Sequence, residues 1–237
     1  MTRTVVGMSG GVDSSLAAAL LREQGRDVVG VTMKLWPCAD QDGGFAREDA
    51  CCSPTETIDA RAVAIGVGVP HYVVDLEDRF RGDVVDEFVA GYVRGETPNP
   101  CVRCNEKIKF GALWEYAEAV GAATVGTGHY ARVERALDRW LLRVAADRAK
   151  DQSYFLFSLT QEQLSRALFP VGGMDKQTVR DEARRRGLVT ADKHESQDIC
   201  FVGKGGVREF LRRAAPAAFA PGPIVDRAGA ALGEHQG

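Results

Sequence analysis

The chain has 237 residues, 45% of them hydrophobic, and its 30 Lys and Arg against 33 Asp and Glu leave a formal charge of −3. That length buries a full α/β core with room for a smaller second unit. No apolar run approaches the about 20 residues of a membrane-spanning helix, and the bulk charge excludes a uniformly basic nucleic-acid binder.

The opening "MTRTVVGMSGG" has neither a charged leader region nor a small-residue cleavage site, so a cytoplasmic protein with no membrane partner is expected. There, six cysteines are expected as thiols, metal ligands or transient redox partners rather than permanent disulfides. Strand-length apolar runs follow in order, "TVVGM", "DVVGVTMKLW", "HYVVDL" and "ATVGTGH". They alternate with helix-period segments at 13–25, 54–67, 77–94 and 106–120. This alternation predicts an α/β fold, a parallel sheet covered by helices. Between strand 2 and the second helix, "PCADQDGGFAREDACCS" has no period and reads as a loop. Next, "YARVERALDRWLLRVA" predicts a β-hairpin turning at "LD". Residues 160–213 read as helical, with Gly187 closing "VRDEARRRG" as a C-cap glycine would.

The expected organisation is a nucleotide-type unit over residues 1–160, a small mainly helical central unit over 161–215, and the opening of a β unit over 216–237. Charge is uneven along it. From Arg132 to Arg213 there are 17 Lys and Arg against 12 Asp and Glu, a local +5 that leaves −8 elsewhere. A basic face on an acidic protein fits RNA, and a set of solvated helix faces fits the same numbers.

"GMSGGVDSS", residues 7 to 15, joins strand 1 to helix 1, where a doubly wound sheet binds phosphates. Gly10 and Gly11 let the backbone approach an anion, and helix-start amides point at it. No Lys follows the glycines and the GxGxxG spacing is absent, which excludes the two common nucleotide loops. An ordinary tight turn with Asp13 or Ser14 as N-cap is the alternative. The full string SGGVDSS resembles the PP-loop of ATP pyrophosphatases, which cleave ATP between the α and β phosphates and transfer AMP. Under that resemblance Asp13 sits beside phosphates with Mg²⁺ offsetting its charge.

The cysteines narrow the resemblance. "GMSGGVDSS", "TPNPCVRCNEKIKF", "GTGHYAR", "KDQSYFLFSL", "LFPVG", "SQDICF" and "GEHQG" stand in an order that closely resembles the bacterial tRNA-specific 2-thiouridylases. That resemblance implies a PP-loop, Rossmann-like domain, a small central domain and a C-terminal β-barrel, of which these residues hold only the opening. It implies thiolation of C2 of the tRNA wobble uridine, with ATP and a sulfur donor such as a cysteine desulfurase or relay protein. It also implies that Gly7, Met8, Ser9, Gly10, Gly11, Val12, Asp13 and Ser14 hold ATP phosphates, with Met33 at the adenine and Gly128 lining the pocket. Spacing alone reads Met33 as a core residue and Gly128 as a strand-end turn. The resemblance further assigns Asn99, Pro100 and Cys101 to the target base, and Lys150, Asp151 and Gln152 to tRNA. Tyr154 and Phe155 stack on RNA or pack in the core.

By the same resemblance Cys104 and Cys200 carry the sulfur chemistry. Pro98 and Pro100 suit a helix entrance, which would place Cys104 at the start of the 105–120 helix beside Arg103, Lys107 and Lys109. Both influences lower a thiol pKa from about 8.5. Many family members carry Asp where this chain has Cys101, so two mechanisms stay open. One is a relay persulfide on Cys200 attacked by Cys104, and the other a [4Fe–4S] cluster held by Cys101, Cys104 and Cys200. Cys38, Cys51 and Cys52 lack zinc-ligand spacing and are expected to be structural. The competing classes are a PP-loop AMP-transferring ligase acting on a small molecule and a zinc-clip RNA-binding module.

Overall fold

The computed structural model describes residues 2–37, 54–195, 199–203 and 205–237. Cys38, Cys51 and Cys52 lie outside the described residues. Five strands form one sheet in the order β3-β2-β1-β4-β7: β1 (Arg3–Gly7), β2 (Asp27–Lys34), β3 (His71–Asp75), β4 (Thr124–Gly126) and β7 (Ala167–Leu168). Every neighbouring pair is parallel. The apolar strands of the sequence thus build the expected α/β sheet, with β7 contributed from beyond residue 160.

Strand alternation explains why both faces are covered. Val5 and Val6 are both fully buried, yet they belong to different cores on opposite faces of β1. On the Val6 side lie α1 (Val12–Glu23) and α2 (Pro54–Val67), through Leu16, Leu21, Val63 and Ala64. On the Val5 side lie Phe110, Leu113 and Trp114, from the helical stretch that ends in α6 (Leu113–Ala119). The chain leaves β1 toward β2 on one side and returns to β4 on the other. The switch point therefore opens above the carboxyl ends of β1 and β4, where the glycine loop stands.

Two helical stretches differ from expectation in detail. The stretch 77–94 is α3 (Glu77–Phe80), a π-helical turn at Arg81–Asp86 and α4 (Glu87–Val93). The helix expected at 106–120 begins earlier, with α5 (Pro100–Arg103) running through a π-helical segment, Cys104–Ala112, into α6. Asn99 sets that start: its Oδ1 accepts the amides of Cys101 at 3.0 Å and Val102 at 3.4 Å, and Pro100 fills the first helical position. Beneath these helices a third core gathers Phe80, Phe88, Ile108, Phe201 and Phe210. Each such side chain contributes about 1.5–3 kcal/mol by burial.

The hairpin is β5 (Ala131–Ala136) and β6 (Arg139–Val144), antiparallel, with Leu137 in the turn at φ 53°. α7 (Gln161–Arg166) precedes β7, and α8 (Lys176–Arg185) ends before Gly187, whose φ is +65°. α9 (Gly206–Ala214) and the hairpin of β8 (Gly222–Val225) and β9 (Ala231–His235) follow. Among the described residues no helix is long and apolar enough to cross a membrane.

Candidate functional site

The glycine loop is built for a main-chain cradle. Gly10 has φ +75°, and a Cβ there would stand 2.2 Å from the Glu56 carbonyl oxygen, so glycine is required. Gly11 is the N-cap of α1 and no side chain caps the helix, so neither Asp13 nor Ser14 takes that role. Instead the Ser14 and Ser15 hydroxyls donate back to the Gly11 carbonyl at 3.1 and 2.8 Å. Ser14 Oγ also accepts the Ser9 amide at 3.1 Å. This leaves the first amides of α1 facing an anion-ready opening. Met8 and Val12 bury their side chains in the core and can offer only backbone. Gly128 closes the loop from the β4 side, where a Cβ would lie 2.5 Å from the Ser14 nitrogen. Met33 is half-buried, and its Cε is 3.8 Å from where a Cβ on Gly7 would be.

Asp13 is fully engaged. Its Oδ1 accepts the Tyr130 hydroxyl at 2.8 Å, and Lys176 Nζ lies 2.8 and 2.9 Å from its two oxygens. Lys176 also pairs with Glu195, which accepts Lys150 Nζ at 2.7 Å. Burial opposes ionisation of Glu195, but hydrogen bonds from Lys150 and Lys176 prevail and hold its carboxyl below the ordinary value. Burial, and then the charge of Asp13, push the Tyr130 phenol well above its ordinary range, so Tyr130 stays a donor. On the other flank Lys193 Nζ donates to the Gly10 carbonyl at 3.2 Å and pairs with Glu56 and Asp59 of α2. Both Asp13 carboxylate oxygens therefore have partners within the protein.

Cys101 and Cys104, three residues apart, and the distant Cys200 line one cavity of about 150 Å³ together with Lys109, Phe80 and Phe201. Cys101 is exposed, while Cys104 and Cys200 are half-buried. Cys104 is not at the helix entrance, because the Asn99 cap moves that entrance to Pro100. Arg103 and Lys107 each pair with Glu106 at 3.1 Å, which leaves Lys109 as the basic residue of the cavity wall. Lys109 Nζ stands 3.4 Å from Nε2 of the buried His129, whose Nδ1 is 2.7 Å from Thr127 Oγ1. Burial first, and Lys109 second, hold His129 well below the ordinary histidine value. Since His129 follows Gly128, this contact joins the thiol cavity to the glycine loop. Among the described residues no group of three or more His, Cys, Asp or Glu is placed to hold a metal ion.

Lys150, Asp151 and Gln152 turn inward. Asp151 accepts the Ala145 amide and the Ser153 hydroxyl, each at 2.7 Å, and Gln152 Oε1 accepts the Tyr130 amide at 3.0 Å. The segment braces Tyr130 and, through Lys150 and Glu195, the lysine on Asp13. Tyr154 is 62% exposed and lines, with Phe157, Asn99 and Arg103, a separate cavity of about 450 Å³. Tyr154 is therefore not a core residue, and Phe155 is half-buried. Lys176, Lys193 and Glu195 stand outside the motifs read in the sequence, and Tyr130, although inside "GTGHYAR", was not singled out as a site residue.

Residues 2–204 match the family described as tRNA methyl transferase HUP domain. Over all of the chain, 52% of residues are identical to "tRNA-specific 2-thiouridylase MnmA" of Bradyrhizobium sp., of which 59% is covered. Identity is 50% to the protein of the same name from Heliobacterium modesticaldum, with 98% of the chain and 60% of that protein covered. The chain thus spans about three fifths of the length of these curated relatives. The structure of NMN synthetase from Francisella tularensis superposes with a TM-score of 0.50 at 14% identity, covering 88% of this chain and 71% of that one. At that identity the likeness bears on the fold alone.

Proposed function

From its membership of the tRNA methyl transferase HUP domain family, to which the chain belongs, we propose that it is the ATP-binding, sulfur-handling part of a cytoplasmic tRNA-uridine 2-sulfurtransferase. The observation that carries this reading is the convergence of Cys101, Cys104 and Cys200 on one cavity, joined through Lys109 and His129 to the glycine loop. An AMP-transferring ligase for a small molecule has no use for that cavity.

The α1 amides and the Ser9 and Ser14 hydroxyls take the phosphates of ATP, and AMP passes to the C2 oxygen of the target uridine as pyrophosphate leaves. This converts a poor leaving group into AMP. A sulfur donor, a cysteine desulfurase or relay protein, leaves a persulfide on Cys200. The Cys104 thiolate attacks the inner sulfur, forming the Cys104–Cys200 disulfide and expelling hydrosulfide, and a thiol reductant later restores both thiols. Hydrosulfide adds at C2, and AMP departs with the original oxygen. The uridine reaches both centres by leaving its stack, which costs about a few kcal/mol. Lys109 keeps a positive charge at the cavity wall and favours the thiolate. Asn99 fixes the helix start on which Cys101 and Cys104 ride.

The test is incubation of the protein, at its relatives' full length, with ATP, Mg²⁺, a persulfide donor and unmodified tRNA. A thionucleoside and AMP are expected, and ADP in place of AMP overturns the assignment. Cys104→Ala and Cys200→Ala should stop thiolation while AMP formation persists, and Cys101→Asp should remain active.

A further inference from the structure

We propose that Lys176 is a positioning residue for the nucleotide loop, supplying from a distant helix the cation that the loop lacks in its own sequence. This rests on the reading that the loop receives the phosphates of ATP.

Three observations converge on it. "GMSGGVDSS" contains no lysine, so a carboxylate in the first turn of α1 would by itself repel a polyanion. Lys176, 163 residues away, places Nζ 2.8 and 2.9 Å from the two oxygens of that carboxylate. The pair is also sheltered. The Lys176 side chain is 14% exposed, against 43% for Lys34 and 46% for Lys107 in surface pairs, so water and salt screen it less.

The surroundings hold Lys176 in place. It occupies the first position of α8, whose N-cap Asp175 accepts the Thr178 amide at 2.7 Å. Its ammonium lies 5.6 Å from the centre of the Tyr130 ring, and Tyr130 donates to the same Asp13 oxygen. Glu195 also pairs with it and is itself shared with Lys150. Lys150, Glu195, Lys176 and Asp13 therefore alternate in sign from the inward-turned 150–152 segment to the loop. ATP arriving at α1 meets a neutralised aspartate.

A plain pin between α1 and α8 would also need this ion pair, so the test separates charge from fastening. Affinity for ATP is measured with EDTA present, by a fluorescent ATP analogue, for the protein at its relatives' full length and for Lys176→Met, Lys176→Arg, Asp13→Asn and the double variant Asp13→Asn/Lys176→Met, with Tm recorded for each. If Lys176 neutralises Asp13, Lys176→Met weakens binding about tenfold or more, since a bare charge then faces the phosphates. Lys176→Arg restores most of it. The double variant binds more tightly than Lys176→Met, because the repelling carboxylate is gone. A pin predicts that the double variant is as weak as Lys176→Met, and that result overturns the proposal. So does an unchanged affinity in Lys176→Met. Should Lys176→Met fail to fold, Asp13→Asn decides: it keeps the lysine and should tighten binding, and weaker binding with a normal Lys176→Arg refutes the role. Absence of ATP binding in the unsubstituted protein would bring down the reading of the loop itself, a distinct failure.

Discussion

Gly128→Ala adds one methyl group at the place where β4 hands the chain across the glycine loop. Its Cβ would lie 2.5 Å from the Ser14 nitrogen, 2.6 Å from the Asp13 carbonyl carbon and 2.9 Å from the Asp13 oxygen. All three atoms are backbone of the first turn of α1, so no side chain can swing aside. Relief requires the loop and the end of β4 to separate by about 0.5–1 Å, and overpacking of this kind costs about 1–3 kcal/mol. For a chain of this length each kcal/mol lowers Tm by about 2–4 °C, so a fall of about 2–12 °C is expected. Because the same movement displaces the α1 amides that are proposed to take the phosphates, ATP affinity should fall about tenfold or more. Gly66→Ala is the control. It lies inside α2 with nothing within 4 Å of its would-be Cβ, and should raise stability by about 0.5–1 kcal/mol through unfolded-state entropy. Scanning fluorimetry and nucleotide titration read both variants. A Gly128→Ala protein with unchanged Tm and unchanged ATP affinity would refute the steric account of the loop.

Asn99→Ala should cost about 1 kcal/mol in urea unfolding by removing the α5 cap, while Asn99→Asp, which keeps the accepting oxygen, should cost much less; equal losses in both would show that the cap is not what Asn99 contributes. Burial, with Lys109 and Arg61 respectively, lowers the values of His129 and His71, so both are neutral when folded. The unfolded chain takes up their protons below about pH 6.5, so stability should hold above that pH and fall beneath it, by up to about 1.4 kcal/mol per unit for the buried His129 and by less for the partly exposed His71. Urea curves at pH 7.5 and 5.5 check this, and equal midpoints would contradict it. His129→Gln should flatten part of the slope.

What was legible in the sequence was local. The change from period-2 to helical spacing across "TVVGMSGGVDSS" placed β1, the loop and α1, and the runs around "LD" placed the hairpin. Pro98 and Pro100 read as a helix entrance, but the helix itself was placed from 105, because the cap that Asn99 supplies to make Pro100 its first residue is a side-chain contact with no periodicity to mark it. The π-helical turns at Arg81–Asp86 and Cys104–Ala112 left no trace, since they follow from packing on the aromatic core of Phe80, Phe88 and Phe201. Lys176 and Glu195 were invisible for another reason. Ion pairs across 163 residues, from Lys176 to Asp13, and across 45, from Lys150 to Glu195, have no spacing to read.

The uneven charge takes on a physical meaning once the bridges are known. The excess of +5 between Arg132 and Arg213 suggested an RNA-facing surface, yet many of those cations grip carboxylates of the protein itself. Lys176 holds Asp13, Arg186 holds Glu23, and Lys193 holds Glu56 and Asp59, all on α1 and α2 of the acidic first part of the chain. The −8 elsewhere is thus partly the counterpart of the basic segment, and the two halves fasten by charge where their apolar faces meet at Val179, Ala183 and Leu188. A polyanion entering here must compete with those carboxylates for the same lysines. Net charge alone therefore overstates how much unpaired positive surface the segment presents, and the 450 Å³ cavity beside α5 shows the same mixture, with Arg103 among Glu87, Glu96 and Glu106 and the exposed rings of Tyr154 and Phe157 at its wall.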